Sequence, residues 1–195
     1  LILLEQHELV ERLRRAHQMS YQTATHAIGD AANRLVLDAI EAAQAGDRSL
    51  RHRVEHAQIV DPSDFCRFAE LGAVASMQPV HALSDMRWAE DWLGAERMPG
   101  AYAWRSLLDA GAHLAFGSDA PIESIDPRLC LFAATCRSPL GGGEPWFGEQ
   151  RLSREAAFAA RTCDAARAVH AEAWLGRFAA GARMEASVIN GDPGR

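Results

Sequence analysis

The sequence predicts an α/β fold in which four short parallel strands alternate with helices. Apolar or β-branched segments recur along the chain, and each is followed by a segment with the apolar spacing of an amphipathic helix. About 20 to 40 residues separate one such segment from the next, which is enough for a crossover helix. Alternation of this kind predicts a parallel sheet with right-handed crossovers, and four strand–helix units make half of a TIM-type (β/α)8 barrel.

The first half of the chain contains an opening helix and two strands. The apolar spacing of residues 5–17 predicts the helix, and Tyr21–Ala27 is rich in the β-branched and aromatic residues typical of strands. Asp30 is a suitable N-cap for a helix that runs to about residue 45. The second strand is predicted at His52–His56, and an Asp-Pro pair at residue 61 then starts the next helix.

The second half continues the alternation and ends in two helices. The third and fourth strands are predicted at Ala73–Met77 and His113–Gly117. A connecting loop at residues 82–98 and a helix from Gly100 to Ala110 lie between them. The later helices run from Asp126 to about Cys136 and from Ser153 to about Ala173, and a weak strand at Ala186–Ile189 follows.

Composition and charge limit the classes of function. The 195 residues are 48% apolar and carry a net charge of −6, which is typical of a globular protein and unlike the basic surface that nucleic acid requires. No apolar run of about 18 residues predicts a spanning helix, and the charge gives no reason to expect an anionic membrane surface. Four cysteines without a CxxC pair predict reduced, mostly buried thiols. These features favour a cytoplasmic protein with no nucleic acid and no membrane as partner.

Polar side chains stand at the carboxyl ends of the predicted strands: His26, His56, the pair Gln78 and His81, and Asp119. Because the carboxyl ends of parallel strands share one edge of a sheet, we expect these side chains to lie close together. Two imidazoles and one carboxylate are a ligand set for zinc or a similar divalent ion, which lowers the pKa of bound water to about 7. Ordinary roles fit each residue as well, because strand-end histidines are commonly hydrogen-bonded and an aspartate near a proline is common turn chemistry.

Four motifs occur together in the order of a known family. They are HAIGD at residues 26–30, RHRVEHAQ at 51–58, ASMQPVH at 75–81 and FGSDAP at 116–121, with AYAWRSLLDAG at 101–111 between the last two. Together they resemble the amidohydrolase superfamily, and most closely amidohydrolase family 3, the YtcJ-like branch. The resemblance covers nearly the whole chain.

The resemblance implies a metal-dependent hydrolase that has a small-molecule substrate and cleaves carbon–nitrogen bonds of non-peptide amides. It also implies that the four strands are strands five to eight of the barrel. By the family pattern, His26 and His56 are ligands of one or two divalent ions, for which zinc is the first expectation. Asp119 is a further ligand and also the general base, which takes a proton from the attacking water and passes it to the leaving nitrogen. His81 and Gln78 are the expected substrate contacts.

Two parts of the family pattern are absent from the sequence. It has neither the HxH metal pair of the first barrel strand nor a strand-end lysine to bridge two metals. Residues 176–195 resemble the return to a small β domain, so we expect a half barrel at residues 1–175 followed by the start of that domain. We therefore expect the C-terminal half of a longer enzyme, whose exposed sheet edges favour a homodimer or another association. The alternative is a catalytically inactive half-barrel fragment that lacks the HxH ligands.

Overall fold

Strands and helices alternate along the chain as the sequence predicts. The structure, a computed structural model, describes residues 4–186 and residue 188. The strands are β1 (Ala24–Ala27), β2 (Arg53–His56), β3 (Val74–Met77) and β4 (His113–Phe116). The helices are α1 (Gln6–Gln18), α2 (Asp30–Gln44), α3 (Phe65–Leu71), α4 (Pro79–Asp85), α5 (Ala89–Leu93), α6 (Trp104–Asp109), α7 (Pro127–Cys136), α8 (Arg154–Arg161) and α9 (Cys163–Ala168). Short 3-10 turns cover Pro62–Asp64, Ala95–Gly100 and Gly148–Gln150.

The four strands form one sheet in the order β1-β2-β3-β4. β1 and β2 are parallel, with Ala27 opposite His56, and β2 and β3 are parallel, with Glu55 opposite Ser76. Each strand is thus the neighbour of the next one along the chain, and helices connect them, as expected for successive βαβ units. The predicted α/β fold with a parallel four-stranded sheet is therefore confirmed. The assignment to strands five to eight of a barrel stays a prediction.

The chain comprises two compact units. Of the described residues, the first unit contains those up to Met77 together with Trp88–Leu114, and the second contains Gln78–Arg87 together with those from Ala115 onward. In the first unit α2 contacts β1 and α3, and α3 contacts α6. Its largest fully buried apolar side chains are Trp104, Tyr102, Phe68, Leu37, Ile40, Met77 and Leu107. In the second unit α7 and α8 contact each other and bury small side chains, namely Ala133, Ala134, Ala157 and Ala160.

The connection after β3 is mostly helical, which corrects the expectation of a loop at residues 82–98. α4 starts at Pro79, which suits the first turn of a helix, and α5 and a 3-10 turn follow. The helix expected from Gly100 begins only at Trp104, because Gly100 pairs instead with Val60, whose amide donates a 3.0 Å hydrogen bond to the Gly100 carbonyl. A Cβ on Gly100 would overlap the Val60 carbonyl, so this close approach of two backbones requires glycine.

The helix expected from Ser153 to Ala173 is interrupted, so the prediction of one long helix is wrong. α8 ends at Arg161 and α9 begins at Cys163, because Thr162 has φ −122° and ψ −90°, outside the helical range. Gly176, with φ +79°, lies against this break, and a Cβ there would be 2.7 Å from the Thr162 carbonyl oxygen. The break and the returning chain therefore pack on each other.

The four cysteines differ in burial. All four cysteines are free, but only Cys130 is buried, so the expectation of mostly buried thiols is wrong; Cys66 and Cys163 are exposed and Cys136 is half-buried. Burial raises the pKa of the Cys130 thiol to about 11.

The strand expected at Ala186–Ile189 includes two residues that lie outside the described part of the chain. No helix among the described residues combines the length and the apolar character needed to cross a membrane.

Candidate active site

His26 and His56 lie side by side at the carboxyl end of the sheet in the first unit. They stand on the adjacent parallel strands β1 and β2, and their imidazole centroids are 4.5 Å apart in an edge-on arrangement. His26 is exposed and His56 is half-buried. His56 has φ +76°, a backbone conformation in which histidine is enriched among non-glycine residues. The structure therefore brings together the two histidines that the sequence predicts as metal ligands.

A buried amide fixes the turns that carry these histidines. Asn33 of α2 is fully buried, and its Nδ2 lies 2.9 to 3.3 Å from four carbonyl oxygens, those of Ala27, Ile28, Gly29 and Ile59. Three of these carbonyls belong to the end of β1 and the turn after it, and the fourth belongs to the segment after β2. Sequence reasoning missed this residue, although a polar side chain on the apolar face of a predicted helix is a signal for it.

Asp119 and His81 form another pair, in the second unit. Asp119 follows β4 and has φ +57°, and its Oδ2 is 3.3 Å from Nε2 of His81. The His81 side chain is 12% exposed and that of Asp119 36%, so the carboxylate is reachable while the imidazole is largely enclosed. His81 lies in the first turn of α4, where its amide donates a 3.1 Å hydrogen bond to the carbonyl of Gln78. Gln78 itself is buried at the start of that helix.

Glu123 and Ser84 extend the pair into a network. Oε1 of Glu123 is 3.7 Å from Nδ1 of His81, and the Ser84 hydroxyl donates a 2.8 Å hydrogen bond to the same oxygen. The imidazole of His81 therefore faces a carboxylate at each ring nitrogen, Asp119 at Nε2 and Glu123 at Nδ1. Sequence reasoning missed both added residues. Ser84 lies three positions after His81 on one helix, a spacing that places both on the same face, but nothing in the sequence pointed to Glu123.

The two pairs offer complementary chemistry. His26 and His56 present imidazole nitrogens, and Asp119 presents a carboxylate; these are the donor types that zinc and similar divalent ions prefer. A reachable carboxylate beside an imidazole can also accept a proton from water and return it to a leaving group. The donor types present therefore fit both a metal ion and a general base.

A further histidine pair has a structural role. The Thr23 amide donates a 3.1 Å hydrogen bond to Nδ1 of His52, and Nε2 of His52 is 3.1 Å from Nδ1 of His17. His52 is 1% exposed, and burial, reinforced by His17, lowers its pKa to about 4. Because both ring nitrogens are engaged inside the first unit, His52 is not a ligand candidate. It precedes β2 and so lies at the opposite end of that strand from His56.

Comparison with known proteins gives a consistent family. Residues 2–193 match the Amidohydrolase family. The chain is 41% identical over 169 residues to "Protein LONG AFTER FAR-RED 3" of Arabidopsis thaliana, which covers 85% of this chain and 29% of that protein. It is 35% identical over 184 residues to "Putative amidohydrolase YtcJ" of Bacillus subtilis (strain 168), covering 93% and 34%. It is 28% identical over 194 residues to "N-substituted formamide deformylase" of Arthrobacter pascens, covering 97% and 34%.

A solved structure is similar to this chain in both fold and sequence. An uncharacterized metal-dependent hydrolase from Pyrococcus furiosus matches with a TM-score of 0.86 and 33% identity, covering 100% of this chain and 39% of that one. The chain spans about a third of the length of the curated relatives it matches. The family resemblance inferred from the sequence motifs is therefore confirmed.

Proposed function

Because this chain belongs to the Amidohydrolase family, we propose that it supplies part of the active site of a metal-dependent hydrolase that cleaves carbon–nitrogen bonds in non-peptide amides. The observation that carries the proposal is the contact between Asp119 and His81, 3.3 Å long, just after the fourth strand. The similarity to a metal-dependent hydrolase and to a protein named N-substituted formamide deformylase supports the same class of reaction.

We infer that His26, His56 and Asp119 hold a divalent ion, with zinc as the first choice. In favour of it, the rings of the two histidines are 4.5 Å apart, and the carboxylate of Asp119 is partly exposed, so the donor types suit such an ion. A bound ion would polarise the substrate carbonyl and would lower the pKa of a water molecule that it binds.

In this proposal the residues of the chain bind and move the proton. Asp119 accepts a proton from the attacking water at its carboxylate and delivers it to the leaving nitrogen. His81 orients that carboxylate through Nε2, and Glu123 at Nδ1 keeps the ring in place. We propose His81 and Gln78 as substrate contacts, because His81 lies beside the partly exposed carboxylate of Asp119 and Gln78 precedes it at the start of the same helix.

A second candidate is a catalytically inactive fragment. Two observations favour it: the chain covers about a third of the length of its relatives, and its sequence lacks the HxH pair. We propose that the chain corresponds to strands five to eight of a (β/α)8 barrel. β1 and β4 then stand at the two ends of the strand order, and such open edges favour a homodimer or association with another chain.

Hydrolysis of N-substituted formamides and acetamides by the zinc-supplemented protein separates the two candidates. The enzyme proposal expects turnover and a loss of about 100-fold or more in Asp119→Asn, because the amide cannot act as the base. Asp109→Asn, at an exposed pair with Arg105, is the matched control and should keep its rate. Full activity of Asp119→Asn would contradict the assigned role, and absence of turnover in the unmodified protein would favour the inactive fragment.

A further inference from the structure

A cavity of about 770 Å³ in the second unit borders the His81 network. Ser84 and Glu123 belong to its lining, and Glu123 is also the residue 3.7 Å from Nδ1 of His81. A group bound in the cavity would therefore lie next to the pair that contains the proposed general base. The volume falls within the range of pockets that bind small organic molecules and far exceeds the space that a formyl or acetyl group needs.

The wall of this cavity is mainly apolar. Apolar surface is favourable to bury and does not compensate a charged group for its lost water. The charges at its border are Arg87, Glu123 and Glu144, and Glu123 already accepts a hydrogen bond from Ser84. The charged residues of this lining are therefore of both signs, and the lining does not select an ionic ligand of one charge. The apolar wall includes Val80, Leu83, Met86, Leu129, Leu140 and Trp146.

The aromatic part of the wall is held rigidly. The Trp146 amide donates a 2.7 Å hydrogen bond to the Arg137 carbonyl, and Nε of Arg137 donates one of 2.7 Å to the Trp146 carbonyl. The Arg137 guanidinium also lies 4.9 Å from the centroid of the Trp146 ring, and Arg137 is fully buried. A wall that is fixed in advance costs less ordering entropy when a ligand binds, so this surface is suited to an apolar ring or branched alkyl group.

We propose that this cavity binds the uncharged, bulky apolar substituent of an amide substrate, of aryl or branched-alkyl size, whose carbonyl lies at Asp119. The inference rests on the proposed hydrolase function, since it identifies the substituent by its position beside that carboxylate. It assigns the selectivity for the substituent to the residues of α4 and to the segment from Leu140 to Trp146.

Binding of two sulfonamides tests this without requiring turnover. N-(2-phenylethyl)methanesulfonamide carries an apolar substituent, and N-(2-aminoethyl)methanesulfonamide carries a cationic one; neither has a carbonyl carbon to hydrolyse. We expect the first to bind at least about tenfold more tightly by isothermal titration calorimetry. Leu140→Glu should weaken its binding about tenfold or more, because the substitution places a carboxylate on the cavity wall.

Ile125→Glu is the matched control. Ile125 is 71% exposed and outside the cavity, Leu140 is 65% exposed within its lining, and neither substitution should disturb the fold. No measurable binding of the phenylethyl compound, equal affinity for both compounds, or unchanged binding by Leu140→Glu would overturn the proposal. Selective binding by a protein that hydrolyses no amide would leave the cavity assignment intact and refute the hydrolase function instead.

Discussion

Asn33 shows how a single side chain can fix the geometry of two predicted ligands. Its amide nitrogen is shared among carbonyls from the turns after β1 and β2, and no water-exposed surface remains on the residue. A buried carbonyl that loses its donor costs more than the hydrogen bond contributed in the folded state. The positions of His26 and His56 therefore depend on Asn33, which lies outside the proposed ligand set.

We expect Asn33→Ala to lower the free energy of unfolding by about 1–3 kcal/mol, because the carbonyls that share this donor lose it. Urea unfolding followed by circular dichroism measures the change. Gln18→Ala replaces an exposed amide and should change the value by less than about 0.5 kcal/mol. Equal effects of the two substitutions would show that Asn33 does not stabilise these turns.

The sequence predicts the residues at the strand ends better than it predicts the residues that contact them. His26, His56 and Asp119 lie at or just after the ends of predicted strands, so their place there could be inferred from the alternation of strands and helices. Glu123 could not, because its contact with His81 joins a loop to a helix 42 positions away in sequence and depends on how the loop folds. For the same reason, the sequence could not predict that Trp146 lies in the cavity wall.

Helices α2 and α3 are joined by a buried carboxylate. The Asp64 side chain, 4% exposed, accepts a 2.8 Å hydrogen bond from Nε of Arg34 and a 3.2 Å one from Nη1 of Arg67. Arg67 also contacts Asp38 and Glu41 of α2. Asp64 raises the pKa of the Arg34 guanidinium. The charge-assisted hydrogen bonds of Asp64 to the two arginines link the two helices.

Asp64→Ala should therefore destabilise the protein by about 2–3 kcal/mol, because two charge-assisted hydrogen bonds are lost and Arg67 keeps only its other partners. Asp109→Ala makes the same chemical change at an exposed pair with Arg105, and we expect less than about 1 kcal/mol there. Denaturant unfolding compares the two variants. A cost for Asp64→Ala no larger than that for Asp109→Ala would mean that the network does not join the helices energetically.

The sequence predicts the start of a helix correctly where a capping residue and the apolar periodicity agree. The N-cap side chains of Asp126 and Ser153 accept backbone hydrogen bonds, as their sequence positions predict. Periodicity could not reveal the break at Thr162, because residues on both sides keep helical spacing and the contact with Gly176 comes from a distant turn. The same limit applies to Gly100, whose pairing with Val60 replaces a predicted helix start.

Stability of the whole molecule should depend on pH through His52. Its pKa in the folded protein is about 4, below the ordinary 6.5, so the folded state favours the neutral ring. This contribution is fully present above pH 6.5 and is lost as the pH falls toward 4; a shift of this size corresponds to about 3 kcal/mol. Acid should therefore destabilise the fold through a group remote from the proposed active site.

The test compares urea unfolding at pH 7.5 and pH 4.5. We expect the loss of unfolding free energy between these values to be about 2–3 kcal/mol smaller in His52→Gln than in the unmodified protein. His7→Gln, which changes an exposed histidine on α1, should behave like the unmodified protein. The same pH dependence in all three proteins would rule out His52 as the source.

For the whole molecule, the alternation of short apolar segments with helical ones was enough to predict a parallel α/β sheet, because each strand pairs with the next along the chain. The motifs were enough to predict the family. The assignment of the four strands to a barrel, the metal site and the oligomeric state stay proposals, because strand and helix periodicity does not encode them.

Zinc binding tests the central claim most directly. The purified protein is equilibrated with zinc, and metal content is measured by mass spectrometry beside His26→Ala, Asp119→Asn and the control His7→Ala. We predict about one zinc ion per chain for the unmodified protein and the control, and affinity at least about tenfold weaker in the two site variants. No bound zinc in the unmodified protein, or equal zinc in all four proteins, would contradict a metal site built from His26 and Asp119.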